Sequence, residues 1–265
     1  IDNYQQKHYQ LHYVYDAGKH LKLNAAAHYT KGFGYFEQYK GIGENTIINY
    51  WSKEALSDYG LADIITPKGD TITETDLIRR RWLDNDFYGM VYSLEYSKNS
   101  LKAVFGGGIN QYKGRHFGEV IWAEYASNGV IRHPYYDNDA TKNDMNVYAK
   151  ANYDVTHRLN VFGDVQYRMV DYTFLGFDND LNNITQNAKL GFLNPKAGAN
   201  FRVNENQSAY AYFGVANKEP NRNDYTESTP NSRPEHETLN DLEFGYRFKS
   251  KNVFANVSIY SMDYK

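Results

Sequence analysis

The sequence predicts an all-β protein, an antiparallel up-and-down transmembrane β-barrel, and three observations carry that prediction. Apolar or small residues fall on every second position in ten separate segments of the 265-residue chain. Short polar breaks alternate with long irregular stretches between those segments. Aromatic residues make up 16% of the chain, 26 Tyr and 14 Phe against 3 Trp, while the hydrophobic total is 41% and mean hydropathy is −0.74. Period-two alternation marks a strand with one greasy and one wet face, and aromatic side chains suit a pleated surface with cross-strand neighbours.

The segments come in pairs around short breaks. Strands are expected near 8–15 and 20–30 around "DAGKH", and near 87–96 and 101–110 around "SKNS". A third pair near 143–153 and 159–170 surrounds "DVTHR". The fourth, near 195–203 and 208–216, surrounds "NENQ", and the fifth, near 240–248 and 253–262, surrounds "KSKN". These breaks hold the Gly, Asn, Asp and Ser residues that hairpin turns require. In the third pair one face reads Met145, Val147, Ala149, Ala151, Tyr153 and the other Asp144, Asn146, Tyr148, Lys150, Asn152. Its second strand sets Leu159, Val161, Gly163, Val165, Tyr167 opposite Asn160, Phe162, Asp164, Gln166, Arg168.

At their other ends the strands are joined by roughly 20 to 50 residues, against the ~4–6 usual between elements. Short turns on one rim and long loops on the other are the mark of an outer-membrane barrel. Tyr15, Tyr96, Tyr153, Phe201 and Phe248 precede the short turns in the apolar parity, as an interfacial aromatic ring requires. The wet face carries Lys22, His28, Glu95, Lys102, Asp144, Lys150, Asp164, Arg168, Lys196, Arg202, Asp241, Glu243 and Arg247, which points to a wide polar lumen. No stretch approaches the ~18 consecutive apolar residues of a spanning helix. A soluble β-sandwich or propeller is the alternative, and it calls for more Leu, Ile and Val than the Ala, Gly and Tyr found on these faces.

The net charge of −3 and pI near 6.3, with scattered basic residues, argue against nucleic acid as a partner. Without cysteine there is no disulfide, thiol nucleophile or thiolate zinc site. No hydrolase, zincin or P-loop motif occurs, so neither an enzyme nor a cofactor is expected. "FGGGIN" at 105–110 lies inside an alternating strand, where its glycines mark a bend or a close approach in the lumen. His8 and His12, four apart on one strand face, lie ~13 Å apart and cannot share a metal. His116, His133 and His236 read as solvated or lumen-lining. "DND" at 84–86, 137–139 and 178–180 lacks the continuation of a calcium loop and reads as turn vocabulary.

The long stretches "HYTKGFGYFEQYKG" (28–41), "RRRWLDNDFYGMVYSLEY" (79–96), "IWAEYASNGVIRHPYYDNDATKNDMNVYAKANY" (121–153) and "ANKEPNRNDYTES…RPEHETLNDLEFGYRFKSKNVFANVSIYSMDYK" (216–265) resemble the barrel of a TonB-dependent outer-membrane receptor of the Bacteroidetes iron and siderophore type. The resemblance covers nearly the whole chain. It implies a barrel of about 22 strands closed by an N-terminal plug, in the bacterial outer membrane. It also implies energy from the TonB-ExbB-ExbD complex and a ferric siderophore or similar chelate as ligand. With no plug, TonB box or closing strand in view, residues 1–265 are expected to be an internal part of one such barrel domain.

Under that resemblance the candidate ligand-binding residues are aromatic and basic ones expected in the long loops: Tyr35, Phe36, Tyr39, Trp51, Arg81, Trp82, Arg115, Trp122, Arg132, Tyr135, Tyr136 and Arg222. Aromatic faces and guanidinium groups suit an anionic, ring-bearing ferric chelate. Glu219, Pro220, Asn221 and Arg222 centre a segment similar to the family's signature where a strand leaves the lumen. A passive porin and a soluble carbohydrate- or protein-binding β module are the competing functional readings.

Overall fold

The computed structural model describes residues 1–41, 53–130, 132–228 and 231–265. Ten long strands form one antiparallel sheet in sequence order: β1 (Asp2–Asp16), β2 (Leu21–Lys40), β3 (Leu77–Lys98), β4 (Leu101–Ala123), β5 (His133–Asp154), β6 (Leu159–Gly176), β7 (Gln186–Asn204), β8 (Gln207–Lys218), β9 (Glu237–Lys249) and β10 (Phe254–Tyr264). Each strand pairs with the one before it, and β1 and β10 are the two edges. The expected meander is therefore present in full. Among the described residues no helix is long and apolar enough to cross a membrane.

The short turns lie where their residues predict. Asn99 and Ser100 alone join β3 to β4, and Asn99 takes the left-handed conformation with φ 51° that asparagine tolerates. Glu205 and Asn206 alone join β7 to β8.

At the opposite rim the structure corrects the sequence reading. The strands run well past the expected ends, so that Lys40, Leu77, Ala123 and His133 are still paired or bound strand termini. Much of what reads as loop is therefore ladder. Two of the three "DND" runs are strand as well: Asp84 and Asp86 share one face of β3 and Asp137 and Asp139 one face of β5, with Asn85 and Asn138 buried on the other. The physical reason is that pairing needs only a neighbouring strand, whereas alternation needs one face in lipid. Beyond the bilayer the second condition lapses and the first does not.

The parity assignment follows through the register. Rows of paired residues such as Leu94–Phe105–Ala149–Val165 and Met90–Ile109–Met145–Met169 run straight across four strands. Phe105, Ile109, Met145, Val165 and Met169 are all exposed, and the intervening residues are more covered. The covered face is concave and wet, with Arg168 bound to Asp144 at 2.5 Å, Asn24 to Glu95 at 2.7 Å and His28 to Asn110 at 3.0 Å. On it Gly106 makes room for Tyr148, whose hydroxyl lies 2.6 Å from where a Cβ would stand.

The convex apolar band has two aromatic borders. Tyr15, Tyr153 and Phe201 stand exposed beside the short turns. Tyr9, Tyr29 and Tyr88 stand exposed in one paired row further up, Tyr9 stacked on Tyr29 at 6.0 Å. Along β4 the band runs from Leu101 to Gln111, ten steps that at ~3.3 Å each and ~40° tilt span ~25 Å, the height of an outer-membrane hydrocarbon band. Arginine substituted at Ala149 or Val165 is expected to destabilise the barrel in bilayers by ~2–4 kcal/mol, while arginine at Asn146 or Asp164 leaves it within ~1 kcal/mol. Urea unfolding in liposomes reads the difference, and equal losses on both faces would argue that the parity assignment is wrong.

Candidate functional site

Above the apolar band the concave face changes character. Register sets Phe36 of β2 beside Arg81 of β3, Arg81 beside Gly118 of β4, and Gly118 beside Tyr136 of β5. Two bulges, one between Ile78 and Arg79 and one between Gly118 and Glu119, re-aim the strand ends there. A Cβ on Gly118 would lie 2.3 Å from both the Tyr135 and Tyr136 rings, so only glycine lets the two tyrosines lie against β4. The connection after β2 folds back over them. Its 3₁₀ turn (Leu56–Tyr59) buries Leu56 and Tyr59 with Leu61, Leu77, Val120, Tyr135 and Tyr136.

Aromatic contacts hold this cluster, with Tyr59 to Tyr135 at 4.8 Å and Tyr135 to Tyr136 at 4.9 Å. Arg79 reaches into it, donating to the Tyr59 hydroxyl at 3.0 Å and to Gln38 at 3.1 Å. Tyr59 in turn donates to Glu54 at 2.7 Å, and burial together with that bond raises its pKa. Arg81 faces the Phe36 ring at 5.8 Å.

The segment "NKEPNRNDYTES" supplies the other half. Pro220 follows the end of β8, and a short helix α1 (Arg222–Thr226) begins two residues later. Asn221 caps it by accepting from the Asp224 amide at 3.1 Å, while the Asp224 carboxylate accepts from the Asn221 amide at 2.7 Å. Tyr225 is buried with Ala140, Phe174 and Ile184. Glu219 pairs with Lys142 of β5 and, at 3.4 Å, with Arg168 of β6. The helix is thus clamped across the concave wall.

The clamp carries Arg222 to strands far from its own. Its guanidinium donates to Asn138 of β5 at 3.0 Å and lies 3.2 Å from either ring nitrogen of His116 on β4. Burial, aided by the Arg222 charge, pushes the His116 pKa down to about 4, so the ring is a neutral acceptor at physiological pH. None of Arg79, Arg81 and Arg222 forms an ion pair among the described residues. Among the described residues no carboxylate neutralises these three charges.

Of the residues expected to bind ligand, Phe36, Arg81, Tyr135, Tyr136 and Arg222 meet here. Tyr35, Trp82 and Arg115 do not: they share strands with the site but stand on its convex parity. Tyr39 is exposed and donates to Asp76 at 2.7 Å, Trp122 is half-exposed at the top of β4, and Arg132 stands just before β5 with φ 60°. Trp51 lies outside the described residues. Arg79, His116 and Asn138 were missed. The run Arg79-Arg80-Arg81 held the signal, since alternation sends its outer two members to one face and Arg80 to the other, where Glu37 pairs with it at 2.8 Å.

A curved antiparallel wall with an apolar convex band, a charged concave face and unequal rims has the build of a transmembrane β-barrel. The chain belongs to the TonB-dependent receptor family: the model of the TonB dependent receptor-like β-barrel matches residues 1–265. No curated protein matches the sequence. Among solved structures the copper transporter OprC superposes with a TM-score of 0.67 at 13% identity, over 97% of this chain and 38% of its own. The ferric citrate transporter FecA gives 0.63 at 11%, over 99% and 35%, and the ferric-catecholate import receptor Fiu from E. coli K12 gives 0.61 at 11%, over 99% and 41%. At such identities these likenesses show the fold. The chain spans well under half the length of each.

Two outcomes check the clamp. His116 is charged in the unfolded chain below pH ~6.5 but resists protonation when folded, so the stability it allows is complete above that pH and is lost as pH falls towards 4. Hydrogen-exchange protection of residues 219–227 is therefore expected to fall between pH 7 and pH 5, and His116→Phe to flatten that fall. Glu219→Gln leaves Lys142 and Arg168 short of an acceptor charge and is expected to raise exchange in the same segment at every pH.

Proposed function

We propose that the chain supplies part of the barrel wall and vestibule of an outer-membrane receptor that actively imports a ferric siderophore. Energy is relayed by the TonB complex through a plug domain. One observation carries the reading: Arg79, Arg81 and Arg222 converge on the concave face beside Phe36, Tyr135 and Tyr136 with no ion-pair partner among the described residues. Unneutralised guanidinium groups among aromatic rings suit an anionic chelate bearing aromatic rings, which they meet by paired hydrogen bonds and cation–π contact. The family, whose barrels are outer-membrane proteins, supports the location. Two similar structures bear the names of a ferric-catecholate receptor and a ferric citrate transporter, which supports an iron chelate as cargo.

The test uses the intact parent gene in a deletion strain supplied with single iron sources. Growth on one ferric siderophore is expected to require both the receptor and its energy-coupling partner, whereas a porin would keep its uptake without that partner. Arg81→Ala and Arg222→Ala each remove a charge-assisted contact worth ~1.5–3 kcal/mol and are expected to weaken chelate binding about tenfold or more. Loss of growth on haem alone, with every siderophore still used, would overturn the choice of cargo.

A further inference from the structure

The wall holds Arg222 by neutral acceptors. Its guanidinium donates to the side-chain oxygen of Asn138 at 3.0 Å and lies 3.2 Å from either ring nitrogen of His116. His116 and Asn138 are a directly opposed pair on β4 and β5. Opposed side chains on antiparallel strands start ~5 Å apart, close enough for one guanidinium to meet both. Their row lies directly below that of Phe36, Arg81 and Tyr136, so the charge is kept within the candidate site.

The carboxylates next to these residues in sequence are turned away or engaged. Alternation in "DND" at 137–139 sends Asn138, 3% exposed, to the concave face and both aspartates to the convex one, where Asp137 pairs with Arg115. On the segment of Arg222 itself, Asp224 closes the cap of α1 and Glu219 pairs with Lys142 and Arg168. The Asn138 amide is fixed end for end, because its nitrogen donates to the Phe177 carbonyl at 2.9 Å and leaves its oxygen to Arg222. Burial keeps His116 neutral. Buried charge is ordinarily paired, whereas Arg222, half-buried, forms no ion pair among the described residues. Nor is the docking of α1 fully satisfied. Tyr225 is 3% exposed, and its hydroxyl is buried with no hydrogen-bond partner among the described residues. That costs free energy, so the docked position leans on the remaining contacts, those of Arg222 among them.

We propose that His116 and Asn138 are positioning residues that hold Arg222 ready for exchange: an anionic oxygen of the bound chelate replaces both neutral acceptors, and α1 loosens from β4 and β5. The driving force is the stronger hydrogen bond that a guanidinium forms with a charged acceptor. Chelate affinity and the docking of α1 are thereby opposed. A carboxylate placed on the wall itself would tighten the helix and take the charge from the chelate. The inference rests on the reading that this site takes an anionic chelate, while the neutral holding of Arg222 is open to test without one.

The experiment takes the full-length receptor in detergent and follows hydrogen exchange of residues 221–228. Ferric 2,3-dihydroxybenzoate serves as an anionic, ring-bearing probe and ferrioxamine B as a cationic one. In wild type the anionic probe is expected to speed exchange in that segment and the cationic probe to leave it unchanged. His116→Glu and Asn138→Asp are each expected to slow exchange about tenfold without probe and to weaken binding of the anionic probe about tenfold or more. His116→Glu is the decisive variant, since Asn138→Asp also gives up the donor to Phe177. His116→Gln restores a neutral acceptor and is expected to recover most of the affinity lost in His116→Glu. Carboxylate variants that bind the anionic probe as wild type does overturn the proposal. So does a joint loss of protection and affinity, the mark of a merely structural role, and so does wild-type exchange that the anionic probe leaves unchanged. Wild type that binds neither probe, or the cationic one alone, defeats the chelate reading instead. Slower exchange in the unliganded carboxylate variants then still upholds the neutral holding of Arg222, and unchanged exchange overturns it.

Discussion

A wall that faces lipid offers its backbone no water, so every amide and carbonyl along it must be satisfied by the strand next door. The sheet is built on that constraint. Unbroken registers join β3 to β4 and β4 to β5 through the whole apolar band, and the irregularities between Ile78 and Arg79 and between Gly118 and Glu119 fall far above it. Where water is present the ladder can bend, and there the bulges re-aim the strand ends that carry the candidate site. The site is possible because the constraint relaxes at that height.

The same strands serve three environments by parity alone. On β3, Met90 and Leu94 face outward in the apolar band, Trp82 and Asp84 face outward above it, and Arg79, Arg81 and Asn85 face inward. A single-residue slip of register would exchange lipid-facing and lumen-facing sets throughout a strand. Charges such as Arg168 of β6 and Asp144 of β5 guard against it, since a slip of either strand would carry its own charge into hydrocarbon, at a cost of several kcal/mol, and leave the other without its partner. Their pairing on the concave wall thus fixes register as well as helping to clamp α1.

Much of this was legible in the sequence. The ten strands, the five short turns and the two faces of β5 and β6 follow from alternation, because lipid on one side enforces it. Strand continuation past the bilayer was not legible, since residues such as Asp84 and Asp137 lose the apolar partner that marks a strand and look like turn formers. Assigning Tyr35, Trp82 and Arg115 to the same surface as Phe36, Arg81 and Tyr136 failed for a related reason: neighbours in a loop have no fixed side, whereas neighbours in a strand have opposite ones. The contacts of Arg222 with His116 and Asn138 could not be read at all. They join residues more than eighty positions apart through a helix whose docking depends on tertiary pairing of Glu219.

The two-residue turns bear on how such a wall is assembled. A hairpin closed by Asn99 and Ser100 brings Lys98 against Leu101 with almost no chain to confine. Each further pair up β3 and β4 then adds ladder without closing a new loop. The sheet can zip upward from one rim, hairpin by hairpin, although its finished strands reach 23 residues. Adjacent hairpins meet through long connections, whose closure entropy falls due later and at the far rim. By loop-closure cost alone, the strand tops and the segments that cross between them are the part of this wall expected to form last.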